Sequence, residues 1–159
     1  MATQGFSRSL PMMLYRALDA VMPRFRKIFN EFGLTEQQWR VLRVLWEHDE
    51  TAFRDLSDIT LIPAPSLVGV VDRLTKQGLV ARRRSDQDRR SVFVFATEQG
   101  SALHQRVKPH VDEAYADLRG SISDDEWREL IGGLERIASL EPATTLEKTS
   151  KREKGNQHE

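Results

Sequence analysis

Leu79-Val80-Ala81-Arg82-Arg83-Arg84-Ser85-Asp86-Gln87-Asp88-Arg89-Arg90-Ser91-Val92-Phe93-Val94-Phe95-Ala96-Thr97-Glu98-Gln99-Gly100 is the stretch on which the fold turns. Leu79–Arg83 and Ser91–Thr97 are short and rich in β-prone side chains, and the polar run Arg84–Arg90 lies between them. That order predicts a β-hairpin with a charged tip. Arg82, Arg83, Arg84, Arg89 and Arg90 fall within nine residues of one another. A ribbon tip bearing arginine suits the narrow minor groove of DNA, whose negative potential attracts guanidinium. Asp86 and Asp88 sit oddly on such a tip, and one of them is expected to pair with a loop arginine and set its shape.

Immediately upstream, Phe53, Leu56 and Ile59 suggest a short helix over about 53–60. Pro63-Ala64-Pro65-Ser66 then opens a second helix that continues to Gln77 and stops at Gly78. Two helices joined by only a few residues make a helix-turn-helix. On a wheel at about 100° per residue, Leu67, Val70, Val71 and Leu74 cluster on one side and face the core. Pro65, Gly69, Asp72 and Lys76 fall opposite, with Ser66 and Arg73 on one flank and Val68 on the other. The outer face is small at its N-terminal end, the end that enters a major groove. Ser66 can bond a base edge or phosphate, Gly69 permits close approach, and Arg73 and Lys76 reach phosphates. The expected DNA-contacting set is Pro65, Ser66, Leu67, Gly69, Arg73 and Lys76 from the helix, with Arg84, Asp88, Arg89 and Arg90 from the hairpin.

The flanks are helical. Leu10, Leu14, Ala17, Leu18, Val21, Phe25, Ile28 and Phe29 share one face of a helix over about 9–32, in which Pro23 should introduce a kink or a split. Thr35-Glu36-Gln37-Gln38 and Ser123-Asp124-Asp125-Glu126 are capping-box patterns that launch further helices. Between them in the chain, Leu103, Val107, Val111, Tyr115 and Leu118 keep helical spacing from Thr97 onward, interrupted by Pro109. Residues 143–159 hold one large apolar residue, Leu146, and are expected to be disordered. The fold class is mainly α with a small β-hairpin wing. The expected parts are a helix over 1–33, a winged helix-turn-helix over 34–100, C-terminal helices over 101–142 and a tail over 143–159.

Charge sharpens this picture. Twenty-four basic and twenty-four acidic residues cancel over 159 residues, which by itself argues against a polyanion binder. Yet residues 62–95 carry seven basic and three acidic side chains, and residues 96–147 carry five basic and eleven acidic ones. The reading module is positive and the helices after it are negative. With no cysteine, disulfides, thiolate zinc sites and thiol-based sensing are excluded. His48, His104, His110 and His158 lack metal-ligand spacing, so no metal is expected. No phosphate loop or nucleophile motif occurs, so neither a cofactor nor catalysis is expected. No apolar run approaches the roughly 18 residues of a membrane span, and the N-terminus lacks a secretory layout, so a cytoplasmic protein is expected.

The hairpin run, followed by Ala96-Thr97-Glu98-Gln99-Gly100, resembles the winged-helix signature of the MarR family of transcriptional regulators. That signature reads approximately Gly-Leu-Val-x-Arg, then Asp-Arg-Arg, then a strand ending Leu-Thr-x-x-Gly; Ala96 stands here for the leucine. Leu67–Gly78 resembles the family's recognition helix. The resemblance implies a homodimer built from N- and C-terminal helices, with each chain presenting one winged helix to half of a pseudo-palindromic operator in double-stranded DNA. Within the family, Thr35–Arg43 together with Arg8-Ser9-Leu10-Pro11 is most similar to regulators of homoprotocatechuate degradation operons. The subgroup's Ala-Arg-Glu run is Ala17-Leu18-Asp19 in this chain.

The resemblance implies a repressor of aromatic catabolism released by a small aromatic carboxylate. For the effector, Arg16 could meet a carboxylate bidentately, with Arg8 nearby in sequence and Tyr15 or Trp39 as an aromatic wall. Two other functions fit the same residues. One is a winged-helix regulator without a ligand, and the other is a helical protein-interaction adaptor whose wing arginines bind an acidic partner.

Overall fold

The computed structural model describes residues 5–85 and 91–140. After a single 3-10 turn at Phe6–Arg8, α1 runs over Leu10–Glu31 and α2 over Glu36–Glu47. A two-residue strand, β1 (Thr51–Ala52), leads into α3 (Phe53–Thr60) and α4 (Ala64–Lys76). The hairpin strands are β2 (Val80–Arg84) and β3 (Val92–Ala96), followed by α5 (Glu98–Arg119) and α6 (Asp124–Ala138). The chain divides after Leu118 into two compact units.

Helix boundaries follow local chemistry. Thr35 Oγ1 accepts from the Gln38 amide, and Gln38 Oε1 accepts from the Thr35 amide, so α2 begins in a reciprocal capping box. Ser123 and Glu126 do the same for α6, and these bonds hold the Glu126 carboxyl below its usual range. Gly33 and Gly78 take positive φ, 70° and 71°, directly after α1 and α4. Neither Pro23 nor Pro109 splits its helix; α1 and α5 each run unbroken for 22 residues. Pro23 has no N–H to donate to Asp19. The turns after it are held instead by Phe25 and Phe29, both buried in the core.

The core of the first unit gathers buried side chains from α1 to α5 and from the hairpin strands. Phe29 from α1, Val41, Leu42 and Leu45 from α2, Leu56 from α3, and Leu67, Val70, Val71 and Leu74 from α4 are all buried. Val80, Val94, Leu103 and Val107 close it from the sheet and α5. The sheet order is β1-β3-β2, antiparallel throughout, with Arg82 opposite Val94 and Thr51 opposite Val94 on the other edge. The strand β1 was not expected. Two residues are too few to show alternation, and pairing with β3 is what makes them a strand.

In the second unit, α6 buries none of its side chains, and Leu130, Ile131, Leu134 and Ile137 are exposed. Arg119 pairs with Asp124 at 2.7 Å and lies over the Trp127 ring. No described helix is long and apolar enough to cross a membrane.

Candidate nucleic-acid interface

The helix-turn-helix is set by a connection of three residues, 61–63, between α3 and α4. Leu61 adopts a left-handed backbone with φ 54°, an uncommon conformation for a residue with a branched side chain. Three bonds hold this bend. Ser57 Oγ donates to the Ile62 carbonyl at 2.7 Å, Thr60 Oγ1 to the Leu56 carbonyl at 2.6 Å, and the Arg40 guanidinium to the Thr60 carbonyl at 3.1 Å. Ile62 is buried beside them, so the turn is pinned from inside as well. Arg40 also pairs with Glu36, which is shared with Arg26 of α1.

The inner face of α4 is the core face expected from the wheel. Leu67 is 0% exposed, so its place among DNA-contacting side chains is corrected: it holds the helix down and presents nothing outward. Pro65, Ser66, Arg73 and Lys76 are exposed. Gly69 is half-buried in a helical conformation, and a Cβ there would meet only the Arg73 guanidinium, at 3.5 Å. Packing therefore does not demand a glycine at 69.

Ion pairs that sequence reading missed tie the wing to α4 and to Glu50, just before β1. Arg82 of β2 donates to Asp72 of α4 at 2.5 Å. Arg83 grips Glu50 with two bonds, Nε to Oε2 at 2.8 Å and an η nitrogen to Oε1 at 2.5 Å, and its guanidinium lies over the Phe93 ring. Glu50 is 33 residues from Arg83, and no local pattern marks such a pair. Arg84 is exposed at the end of β2. Asp88, Arg89 and Arg90, and with them the expected pairing within the tip, lie outside the described residues.

The hairpin's far end is anchored by the Thr97–Gly100 segment. Thr97 Oγ1 donates to the Gly78 carbonyl at 2.6 Å and accepts from the Gly100 amide at 3.1 Å, so it caps α5. A Cβ on Gly100 would come within 2.1 Å of the Leu79 carbonyl oxygen. The spacing Thr-x-x-Gly thus has a physical meaning: a cap, then a contact only glycine allows. Between α3, α4 and the hairpin lies an open groove of about 670 Å³, lined by Phe53, Arg54, Ala64, Val68, Arg82 and Val92 among others.

The residues expected for an effector are not gathered by one chain. Arg8, Tyr15 and Arg16 are exposed on or before α1, Tyr15 at 69%. Trp39 is half-buried, stacked on Phe29 with centroids 4.7 Å apart and edge-on to Trp46. Trp39 is therefore part of the aromatic packing between α1 and α2. Among the described residues no cluster of three His, Cys, Asp or Glu side chains could hold a metal ion.

Comparison with known proteins fits this arrangement. Residues 32–91 match the sequence model of the MarR family, spanning α2 to the hairpin. The chain is 35% identical over 143 residues to the HTH-type transcriptional regulator FarR of Neisseria gonorrhoeae, covering 90% of this chain and 98% of that one. It is 35% identical over 132 residues to the homoprotocatechuate degradative operon repressor of Escherichia coli, covering 83% and 89% respectively. Among solved structures, NadR in complex with 4-hydroxyphenylacetate superposes with a TM-score of 0.76 at 35% identity, covering 89% of this chain and 100% of that one. A short helix with a buried back and a small exposed front, a hairpin braced beside it and likeness along nearly the whole chain lead to one conclusion: this protein belongs to the MarR family of transcriptional regulators.

Proposed function

We propose that the chain is a homodimeric repressor that binds a pseudo-palindromic operator and is released from it by a small aromatic carboxylate. The observation that carries this reading is the outer face of α4 beside the hairpin. Ser66, Arg73 and Lys76 are exposed there and Gly69 leaves the backbone approachable. Ser66 suits a base edge or phosphate, Gly69 suits close approach of the DNA backbone, Arg73, Lys76 and Arg84 suit phosphates, and Arg89 and Arg90 suit the minor groove. No catalytic role is assigned to any residue.

The regions 1–33 and 101–142 are read as the dimerisation elements. Leu10, Met13 and Leu18 of α1, and Leu130, Ile131 and Leu134 of α6, are exposed. Apolar rows of that length are covered in a stable protein, and a second copy supplies the matching rows. The effector is read as binding between the dimerisation helices and the winged helix. Arg16 is the residue assigned to the carboxylate, with Arg8 near it in sequence and Tyr15 or Trp39 as the aromatic wall. A relative bound to 4-hydroxyphenylacetate and another named for homoprotocatechuate degradation support an aromatic acid as the ligand class.

Release follows from linkage: an effector that prefers the dimer with the wrong half-site spacing lowers operator affinity by that preference. Fluorescence anisotropy with a duplex from upstream of the chain's own gene, titrated with 4-hydroxyphenylacetate, tests both parts. Salt-sensitive binding that the acid weakens is expected. Binding no tighter than to scrambled DNA defeats the reading, and binding that no aromatic acid alters removes the effector. Calorimetry with Arg16→Ala separates out the pocket: unchanged affinity for the acid removes Arg16 from it.

A further inference from the structure

We infer that Val68 reads a thymine methyl group in the major groove and is a specificity-determining residue of the recognition helix. This assignment rests on the DNA-binding reading of α4 and adds to it the chemistry of one base contact.

Val68 is 45% exposed in the first half of a helix whose four core side chains are each fully buried. It is the one large apolar side chain that α4 leaves open to solvent. Its neighbours offer little polar readout. Pro65 and Gly69 carry no side-chain donor, Asp72 is engaged by Arg82, and Ser66 provides a single hydroxyl on the opposite flank. The N-terminal turns of α4 can therefore discriminate bases mainly by shape and by apolar contact. In the major groove, the C5 methyl of thymine is the apolar mark on a base edge, and small aliphatic side chains are its partners.

The surroundings suit that role. Val68 lines the open groove between α3, α4 and the hairpin, with Ala64 one turn before it and Val92 also in the lining. A base edge entering there meets the apolar side chains of Ala64, Val68 and Val92 beside the polar Arg54, Ser57 and Asp58, and contact with Val68 removes from water a methyl on each partner. Gly69 next to it admits the sugar-phosphate backbone closely.

The test replaces each thymine of the bound duplex in turn by deoxyuridine, which deletes only the C5 methyl. Affinities of the full-length wild type and of Val68→Ala are read by anisotropy. Alanine at an exposed helical site preserves the fold, and a thermal melt verifies it. At one or more thymines in each half-site, deoxyuridine should weaken the wild type about fourfold, as expected for one methyl-sized group returned to water. On those same duplexes Val68→Ala should show no further loss. A scan that leaves the wild type unaffected at every thymine overturns the assignment. So does a Val68→Ala that keeps the full deoxyuridine penalty, because a valine that merely packs beside the wing would weaken every duplex alike. Failure of the wild type to prefer this duplex over scrambled DNA would instead defeat the DNA reading on which the assignment rests.

Discussion

Arg82 and Asp72 form an ion pair at 2.5 Å that ties the first strand of the wing to the recognition helix, ten residues back in the chain. The pair is partly exposed, so its direct worth to stability is small, about 0–1 kcal/mol. Its consequence is geometric. On the proposed reading the helix and the hairpin meet two grooves of one duplex together, and each loses less freedom on binding when their angle is already set.

Asp72→Asn should therefore leave the thermal midpoint within a few degrees while weakening operator binding, by roughly tenfold if about 1.4 kcal/mol of preorganisation is lost. The exchange Asp72→Arg with Arg82→Asp should recover much of that loss. Anisotropy on the single and double variants checks this; an Asp72→Asn protein with wild-type affinity would show that the brace does not matter to DNA.

Gly69→Ala separates stability from function. A Cβ there meets only the end of a flexible arginine, and alanine is the better helix former. Stability should rise by about 0.5–1 kcal/mol in urea unfolding. Operator affinity should fall, because on the proposed reading the methyl would stand between α4 and the DNA backbone. A variant that gains stability and keeps its affinity would show that the backbone does not come close at 69.

Gly100→Ala should do the opposite. Its Cβ would lie 2.1 Å from the Leu79 carbonyl oxygen, a backbone atom that can yield only by moving β2 and α5 apart. The expected loss is about 1–3 kcal/mol or more, with DNA binding reduced as the wing shifts. Gly132→Ala is the control, since its Cβ would meet nothing closer than an arginine tip at 3.6 Å. Equal melting of the two variants would mean that the α5 start adjusts freely.

His104 sets a pH dependence. Its ring stacks on Trp46 at 4.4 Å and 11°, and Trp46 Nε1 donates to the Gly100 carbonyl at 3.0 Å. Burial, then the charges of Arg43 and Lys108, push the His104 pKa below its ordinary value, against weaker opposing effects of Asp112 and Glu47. The folded state thus takes up its proton less readily than the unfolded chain does. The stabilising difference is present above about pH 6.5 and is lost as pH falls through the lowered folded value. Melting temperature should drop across that acid window in the wild type and drop less in His104→Gln. Parallel curves would remove His104 as the cause.

Much of this protein was legible from short-range patterns. The capping boxes at Thr35 and Ser123, the stop at Gly78, the buried stripe Leu67-Val70-Val71-Leu74 and the hairpin all depend on residues a few positions apart. Local hydrogen bonding and helical or strand periodicity decide such features, so the amino-acid order is enough to read them. The charge split between 62–95 and 96–147 belongs with them, since it needs only counting.

Tertiary structure decided what depends on distant partners. Strand β1 exists because β3 pairs with it, and α1 survives Pro23 because Phe25 and Phe29 are held by the core. Arg82 and Arg83 counted only as hairpin charge in the sequence, and the fold gives them Asp72 and Glu50 as partners, while Trp39 stacks on Phe29. Leu67 was placed in both roles by its sequence position, and only burial chose the core. Periodicity names a face of a helix, but which charge neutralises an arginine is settled by groups brought together only when the chain has folded.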